Sequence, residues 1–273
     1  MWEVLQLDFM RNALVAGILV SIACGVIGSL VVVNRIVFIS GGIAHSAFGG
    51  IGLAFFLGFS PSLGAALFAV GAAMIMGAVS FRARHRSDTF IGVLWAIGMA
   101  IGVILIDLTP GYHVDLMSYL FGSILTVPLS DIYMMMVLNA GILITVTIFY
   151  NEFIAMSYDD EFAFIVGIPV RPLYFSMLGM TAVSVVMTIR VVGLILVIAL
   201  LTIPPYIAEK FTRSLSRMMA MSSVLGILFT LCGLYLSHAY DLTSGATIIL
   251  VAGVGFFVFQ CVGLLKPKGG SAP

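Results

Sequence analysis

Residues 13–33 read ALVAGILVSIACGVIGSLVVV and contain no charged side chain. A run of about 20 apolar residues is long enough to cross the ~30 Å hydrocarbon core of a membrane as a single helix. The rest of the chain has the same character, since 62% of its 273 residues are hydrophobic and 9% are charged. A soluble domain carries about 25% charged residues, so the surplus of apolar side chains must face lipid. The sequence therefore predicts a polytopic, all-α membrane protein.

Nine apolar runs are long enough to span, with boundaries defined to within several residues. They are 13–33, 39–58, 62–80, 89–107, 131–150, 173–189, 191–208, 218–237 and 244–264. The region around Arg190 can be divided differently, so eight or ten crossings stay open. Residues 116–127 are apolar but short, which favours a re-entrant or interfacial segment. We predict one transmembrane domain over residues 1–273, with a disordered tail at 265–273.

The distribution of positive charge predicts the orientation of the chain. Lysine and arginine collect on the cytoplasmic side of membrane proteins. If residues 81–88 are cytoplasmic and nine spans alternate, ten of the 12 cations lie inside and two, Arg11 and Arg190, lie outside. The ten are Arg35, Arg82, Arg84, Arg86, Arg171, Lys210, Arg213, Arg217, Lys266 and Lys268. This predicts a multi-pass protein of the cell (inner) membrane with its N-terminus outside and its C-terminus in the cytoplasm.

Composition and motifs exclude several classes of function. Lysine and arginine balance aspartate and glutamate at 12 each, so there is no basic surface to neutralise the phosphates of a nucleic acid. The three cysteines stand singly in apolar runs, without a disulfide or metal-binding spacing. The chain has no HExxH zinc-protease motif, no GxSxG nucleophile elbow and no GxxxxGK(S/T) phosphate loop. If transport consumes ATP, another subunit must bind the nucleotide.

The second predicted span, ISGGIAHSAFGGIGLAFFLG, contains His45, the one ionisable side chain well inside a span. Ionisable residues are costly in lipid and normally face a bundle interior or a wet pathway. Gly41 and Gly49 lie one turn before and after His45 on the same helix face, which leaves room for an ion or for another helix. With Gly42 and Gly50 they would also allow close helix packing. His45 is therefore either a transit ligand for a transition metal or a hydrogen-bonded packing residue.

A second group of polar residues falls near the external ends of the spans. Its members are Asp107, His113, Asp115, His238 and Asp241. Histidines and aspartates two or three residues apart could bind a cation weakly or guide it inward. Ordinary residues of the membrane interface have the same composition, so both interpretations stay open.

The longest predicted cytoplasmic connection, residues 151–172, reads NEFIAMSYDDEFAFIVGIPVRP. It carries four carboxylates, on Glu152, Asp159, Asp160 and Glu161. Gly167 and Pro169 end any helix that precedes them. The connection therefore predicts a short amphipathic helix with a fixed end, which is a rigid element that a partner protein can bind.

Four stretches resemble the permeases of bacterial and archaeal zinc, manganese and iron ABC importers, the zinc-uptake permease type. They are ISGGIAHSAFGGIGLA, LMSYLFGSIL, the run from DDEFAFIVGIPVRP to LLTIPPYIA, and YDLTSGATIILVAG. They occur in the family's order and are spread over most of the chain.

This resemblance implies a fold similar to that of the vitamin B12-type importers. It also implies a homodimeric permease, two copies of a separate ABC ATPase, and an extracytoplasmic metal-binding protein that delivers the ion. The connection 151–172 would couple to the ATPase through Asp159, Asp160, Glu161, Ala163, Gly167 and Pro169. Ala163 would lie on the apolar face that meets the ATPase. No permanently bound cofactor is expected, only the transported metal.

One position departs from the family's pattern. The family's histidine helix carries an aspartate one turn before the histidine, and both ligate the metal, but this chain has Gly41 there. The ligand role transfers to His45 and the carboxylate does not transfer. Because manganese prefers oxygen ligands and a lone imidazole is a poor site for it, we expect zinc in preference to manganese or iron. Asp241 or Asp107 could supply a carboxylate from elsewhere.

Two other classes of function compete with a metal importer. An ion-coupled secondary transporter would need no ATPase, but such proteins typically show inverted repeats and buried carboxylates for coupling, and neither is evident here. An intramembrane enzyme would need two catalytic groups at membrane depth, and the sequence offers His45 alone. Within the ABC class, an importer of another substrate such as a metal chelate is the alternative.

Overall fold

The structure, a computed structural model, describes residues 8–82, 87–110, 122, 124 and 127–265. Within these residues the chain forms eleven helices and no strand. The helices are α1 (Asp8–Val33), α2 (Val37–Leu57), α3 (Pro61–Arg82), α4 (Ser87–Asp107), α5 (Leu129–Ile148), α6 (Tyr150–Tyr158), α7 (Asp160–Ile165), α8 (Val170–Val192), α9 (Leu194–Phe211), α10 (Leu215–Tyr240) and α11 (Ser244–Leu265). The predicted all-α fold is confirmed, and each predicted span coincides with one long helix.

Eight of the described helices are long and apolar enough to cross a membrane. The remaining long helix, α9, has 18 residues, contains Pro204 and Pro205, and carries Lys210 in its last turn. Its apolar part is therefore shorter than the roughly 20 residues that a lipid-facing span needs. Most of its side chains are buried by other helices, and a helix enclosed by protein need not match the thickness of the lipid.

The bundle has two ends, which the contacts of the connecting segments define. At one end, Val33 and Tyr158 each line two neighbouring cavities together with the ends of α3, α4, α9 and α10. We call this the basic end because it carries a cluster of cations, namely Arg35, Arg82, Arg171, Lys210, Arg213 and Arg217. At the opposite end, Asn12 near the start of α1 donates a hydrogen bond to the carbonyl oxygen of Val127.

The helix α9 also runs between these two ends. Its first residue follows Gly193, which packs against Gly122 in the connection between α4 and α5, whereas its last turn lies at the basic end. There Lys210 donates a hydrogen bond to Gln260 near the end of α11. The helix α1 thus begins at the opposite end, and α11 finishes at the basic end.

The helix α2 lies against α3 and α4 with its backbone unusually close to theirs. A Cβ atom added at Gly49 would lie 2.8 Å from the carbonyl oxygen of Gly98 on α4, and one at Gly50 would collide with the carbonyl group of Gly64 on α3. Small residues allow this approach. In lipid, close packing of this kind drives helix association, because the hydrophobic effect does not act between helices there. We refer to α2, α3 and α4 together as the α2–α4 block.

A continuous buried core contains side chains from each of the eleven helices. Outside the α2–α4 block, α1 packs along α10, where the hydroxyl groups of Ser21 and Thr230 share a hydrogen bond of 3.1 Å. Most of the predicted interfacial segment 116–127 lies outside the described residues. Of the predicted tail 265–273, the structure describes residue 265 alone, as the last residue of α11.

Candidate metal site and partner-binding surface

His45 lies near the middle of α2 and is half-buried. Its imidazole stacks on the indole of Trp95 from α4, with ring centroids 4.0 Å apart and planes inclined by 12°. Trp95 therefore covers one face of the imidazole and fixes the plane in which its two nitrogen atoms lie. A stacked aromatic pair of this kind contributes about 0.5–1.5 kcal/mol beyond its buried area.

The edge of the His45 ring meets a sulfur atom. Met99 follows Trp95 by one turn of α4, and in the tautomer with the proton on Nδ1 its Sδ accepts a 3.1 Å hydrogen bond from that nitrogen of His45. Among the described residues no hydrogen-bond partner is found for Nε2. The ring thus has one nitrogen beside a thioether and another that no described group engages, which is an arrangement that leaves the imidazole able to bind a metal.

Gly41 completes the surroundings of this ring. A Cβ atom added at Gly41 would lie 3.5 Å from Cζ3 of Trp95 and 3.2 Å from Cδ1 of Ile198 on α9. The position that carries the family's aspartate therefore faces the same indole as His45. The candidate metal site lies where α2, α4 and α9 meet.

The carboxylates of the described residues lie elsewhere. Asp107 is exposed at the end of α4, eight residues after Met99, which corresponds to a rise of about 12 Å. Asp241 is exposed in the left-handed turn that ends α10, and His238 is exposed one turn earlier. Within the described ranges no three His, Cys, Asp or Glu residues come together as a metal-binding group. The structure therefore brings neither Asp107 nor Asp241 to His45, while His113 and Asp115 lie outside the described residues.

The predicted coupling connection contains two short helices, α6 and α7, at the basic end. Asp159 separates them, and its carboxylate accepts a 2.9 Å hydrogen bond from the backbone N–H of Phe162. Asp159 is therefore the N-cap of α7, a role that stabilises a helix by about 0.5–2 kcal/mol. Gly167 then adopts a left-handed conformation with φ of +88°, which glycine accepts without strain. The predicted stop at Gly167 and Pro169 lies where the structure ends α7.

The expected role of Ala163 needs correction. We predicted that Ala163 lies on the face that meets a partner, but its side chain has no exposed surface and belongs to the buried core. Ala163 anchors α7 to the bundle, because its small side chain lets the helix lie close. The apolar side chains that α7 exposes are Phe162, Phe164 and Ile165, which are 59%, 74% and 79% exposed.

A groove of about 590 Å³ follows α7 on the basic end. Glu161 and Phe164 line it on one side, and Pro169 and Arg171 on the other. A second cavity, of about 660 Å³, lies between Asp160 and the ends of α3 and α4. The surface around α7 thus combines exposed apolar side chains with charges of both signs, a composition that suits a protein partner.

The sequence is similar to those of known transport proteins. Residues 6–263 match the ABC 3 transport family. The manganese transport system membrane protein MntC of Listeria innocua is 36% identical over 97% of this chain and 94% of its own length. An uncharacterized membrane protein of Synechocystis is 51% identical over 94% of this chain and 92% of its own.

A solved structure agrees with the fold. PsaBC from Streptococcus pneumoniae, in complex with Fab, matches with a TM-score of 0.85 and 29% identity, covering 94% of this chain and 93% of that one. This likeness confirms the predicted fold, that of an ABC importer permease of the vitamin B12 type. From its match to this family and to these membrane proteins, the chain is a transporter permease, and ATP hydrolysis belongs to a separate subunit. The chain belongs to the ABC 3 transport family.

Proposed function

We propose that the chain is the membrane permease of an ABC importer that moves a divalent transition-metal cation into the cytoplasm, with zinc preferred to manganese and iron. The observation that carries this proposal is His45, which Trp95 holds in the middle of the bundle with one nitrogen beside the sulfur of Met99. Neutral imidazole is a good ligand for zinc and for iron. The relatives named for manganese transport support the metal-ion class, and Gly41 in place of a carboxylate favours zinc.

The proposed assembly contains two copies of the permease, two ATPase subunits and an extracytoplasmic metal-binding protein. The ATPase would bind the basic end through α7, where Phe164 and Ile165 are exposed beside Glu161. Asp107, His238 and Asp241 lie exposed at the opposite end, where they could guide a cation towards the bundle. His113 and Asp115 would belong to the same entrance.

We also propose that the basic end faces the cytoplasm. Six of the described cations lie there, and Arg11 lies in the first turn of α1 at the opposite end. Because positive charge is retained on the cytoplasmic side during insertion, this orientation places the N-terminus outside and the C-terminus inside. It also places α7 on the side where ATP is available.

The experiment uses the whole importer, reconstituted in vesicles with ATP, and measures uptake of zinc. His45→Phe is the informative variant, because phenylalanine keeps the stacking on Trp95 and removes both nitrogen atoms. We expect uptake to fall at least about tenfold in His45→Phe and in His45→Ala, with folding and dimerisation retained. Ser46→Ala, a change to the next residue on α2, serves as the matched control.

Two results would contradict the proposal. If His45→Phe transports zinc at the wild-type rate per folded molecule, the imidazole is a packing residue and not a ligand. If zinc uptake continues without the ATPase and follows an ion gradient instead, the chain is a secondary transporter.

A further inference from the structure

We propose that Met99 supplies a second metal ligand, a thioether, and that the pair His45–Met99 selects a borderline or soft cation over a hard one. This inference rests on the proposed function, since it concerns the cation that the permease carries. Met99 would then be the residue that favours zinc over manganese in a chain that lacks the family's carboxylate at position 41.

The distance between the two donor atoms supports this role. Zinc binds imidazole nitrogen at about 2.0–2.1 Å and thiolate sulfur at about 2.3 Å in tetrahedral geometry, and a thioether at that distance would place the two donor atoms roughly 3.5 Å apart. Nδ1 of His45 and Sδ of Met99 lie 3.1 Å apart. A cation between them requires the proton of the neutral imidazole to be on Nε2, so that the lone pair of Nδ1 faces the ion. It also requires a shift of about half an ångström, which the flexible side chain of Met99 can make by a small rotation.

The backbone holds the two donors in register. Ser46 follows His45 and Gly98 precedes Met99, and these two neighbours touch, because a Cβ atom added at Gly98 would lie 2.8 Å from Cα of Ser46. The close contact between α2 and α4 thus lies one residue away from each proposed ligand. Since the backbones cannot approach further, the α2–α4 block fixes the backbone positions from which the two ligands extend, and the side chain of Met99 adjusts the final distance between sulfur and imidazole.

The chemistry of the donors determines which cations fit. Thioether and imidazole suit soft and borderline ions such as zinc, whereas manganese prefers carboxylate, carbonyl and water. The described carboxylates lie in the first or last turns of helices or in the connections between them, so none is in the middle of α2 or α4 beside the pair. The indole of Trp95 occupies one face of the imidazole and leaves the ring edge, beside Met99, for the ion.

The test compares Met99→Leu with wild type in the complete importer. Leucine keeps a similar volume and removes the sulfur. Met76→Leu is the matched control, because Met76 also packs on α2, against Gly42, but from α3. Zinc alone and manganese alone are titrated onto each purified complex. Loss of a residue that only supports a metal ligand costs about 10–100-fold in metal affinity. We therefore expect Met99→Leu, which removes a ligand, to lower zinc affinity by at least about tenfold. Manganese affinity should be nearly unchanged.

X-ray absorption at the zinc edge provides a readout that is independent of transport. The wild-type and Met76→Leu complexes should show a sulfur neighbour of zinc, and Met99→Leu should lose it. Met99→Gln, which offers a carbonyl oxygen at a similar reach, should recover manganese binding better than zinc binding.

The inference is overturned if zinc in the wild-type complex has no sulfur neighbour. It is also overturned if Met99→Leu lowers the affinities for zinc and manganese equally, since the thioether would then only orient the imidazole. Failure of the proposed function looks different: the wild-type complex would move neither metal with ATP, and His45→Phe would bind zinc as well as wild type does.

Discussion

Gly41 of α2 faces Ile198 of α9 so closely that a Cβ atom at Gly41 would lie 3.2 Å from Cδ1 of Ile198. The same Cβ atom would lie 3.5 Å from the indole of Trp95, on which His45 stacks. A side chain at position 41 would thus enter the space beside the imidazole, and only the flexible end of Ile198 would have to move. Position 41 therefore has room for a side chain beside His45, although this chain has a glycine there in place of a carboxylate.

Gly41→Asp should therefore create an oxygen ligand beside His45 and shift metal preference towards manganese. We expect manganese affinity of the purified complex to rise about tenfold or more, because a carboxylate is a better ligand than a thioether for this ion. Turnover should fall, since transport needs a site weak enough to release its ion. Metal titrations and uptake by vesicles measure the two effects.

Gly41→Asn is the matched control for this change. It has the size of aspartate without the charge, so it should crowd Ile198 equally and bind manganese less well. If the aspartate and asparagine variants bind manganese alike, the carboxylate does not reach the ion. Adding Ile198→Ala to Gly41→Asp should restore any stability lost to crowding.

Gly50→Ala should destabilise the protein through the α2–α4 block. The added methyl group would collide with the backbone carbonyl of Gly64, which cannot move aside as a flexible side chain can. Overpacking of this kind costs about 1–3 kcal/mol. Thermal unfolding in detergent measures the loss. Gly92→Ala in α4 is the control, because nothing lies within 4 Å of the position of its Cβ atom; an equal loss in both variants would contradict the role of Gly50 in packing.

Phe164→Arg should release the ATPase and leave the membrane bundle folded. Phe164 is 74% exposed on α7, so a cation there meets solvent in the free permease and would be buried in the docked complex, which is costly. Co-purification of the ATPase with the permease provides the measurement. Leu242→Arg makes the same kind of change at an exposed position of the opposite end and should retain the ATPase.

Ala163→Arg would give a different result. Because Ala163 is fully buried, an arginine there should lower the thermal stability of the permease itself. Normal stability of Ala163→Arg would contradict the role of Ala163 in anchoring α7, and normal ATPase binding by Phe164→Arg would show that α7 does not dock as proposed.

Single-cysteine labelling should locate the basic end in the cytoplasm. Cys24, Cys232 and Cys261 are first replaced by serine or alanine, and a cysteine is introduced at Tyr158 or at Leu242, both exposed. A membrane-impermeant thiol reagent added to intact cells should label the variant at 242 and spare the variant at 158. The reverse pattern would invert the whole orientation.

The sequence was sufficient to predict the helices. Apolar length is a local property, so the nine predicted spans differ from the nine long helices by a few residues at most of their ends, where polar residues allow either boundary. Gly167 likewise marked the end of α7, because a left-handed turn is a property of a single residue. The face that α7 buries was predicted wrongly, since six residues make fewer than two turns and both of their faces contain apolar side chains.

The surroundings of His45 could not be predicted, because they depend on contacts between helices. Trp95 and Met99 are 50 and 54 residues away from it in the chain, and the periodicity of α4 does not reveal which neighbour it faces. One signal was nevertheless present: a tryptophan and a methionine one turn apart within a single span place an aromatic surface and a soft donor on the same helix face. The positions of Asp107 and Asp241 also depended on the fold, since only helix packing decides whether an end group can reach the middle of another helix.

The contact between Ser46 and Gly98 limits how the permease can change its affinity during transport. Backbone atoms that already touch cannot be compressed, and separating them would open a void along α2 in lipid. We therefore expect the backbone positions of His45 and Met99 to keep their separation during any movement of α2, α3 and α4. Release of the ion would then depend on which side of the membrane water reaches the pair, and not on the loss of one of its ligands.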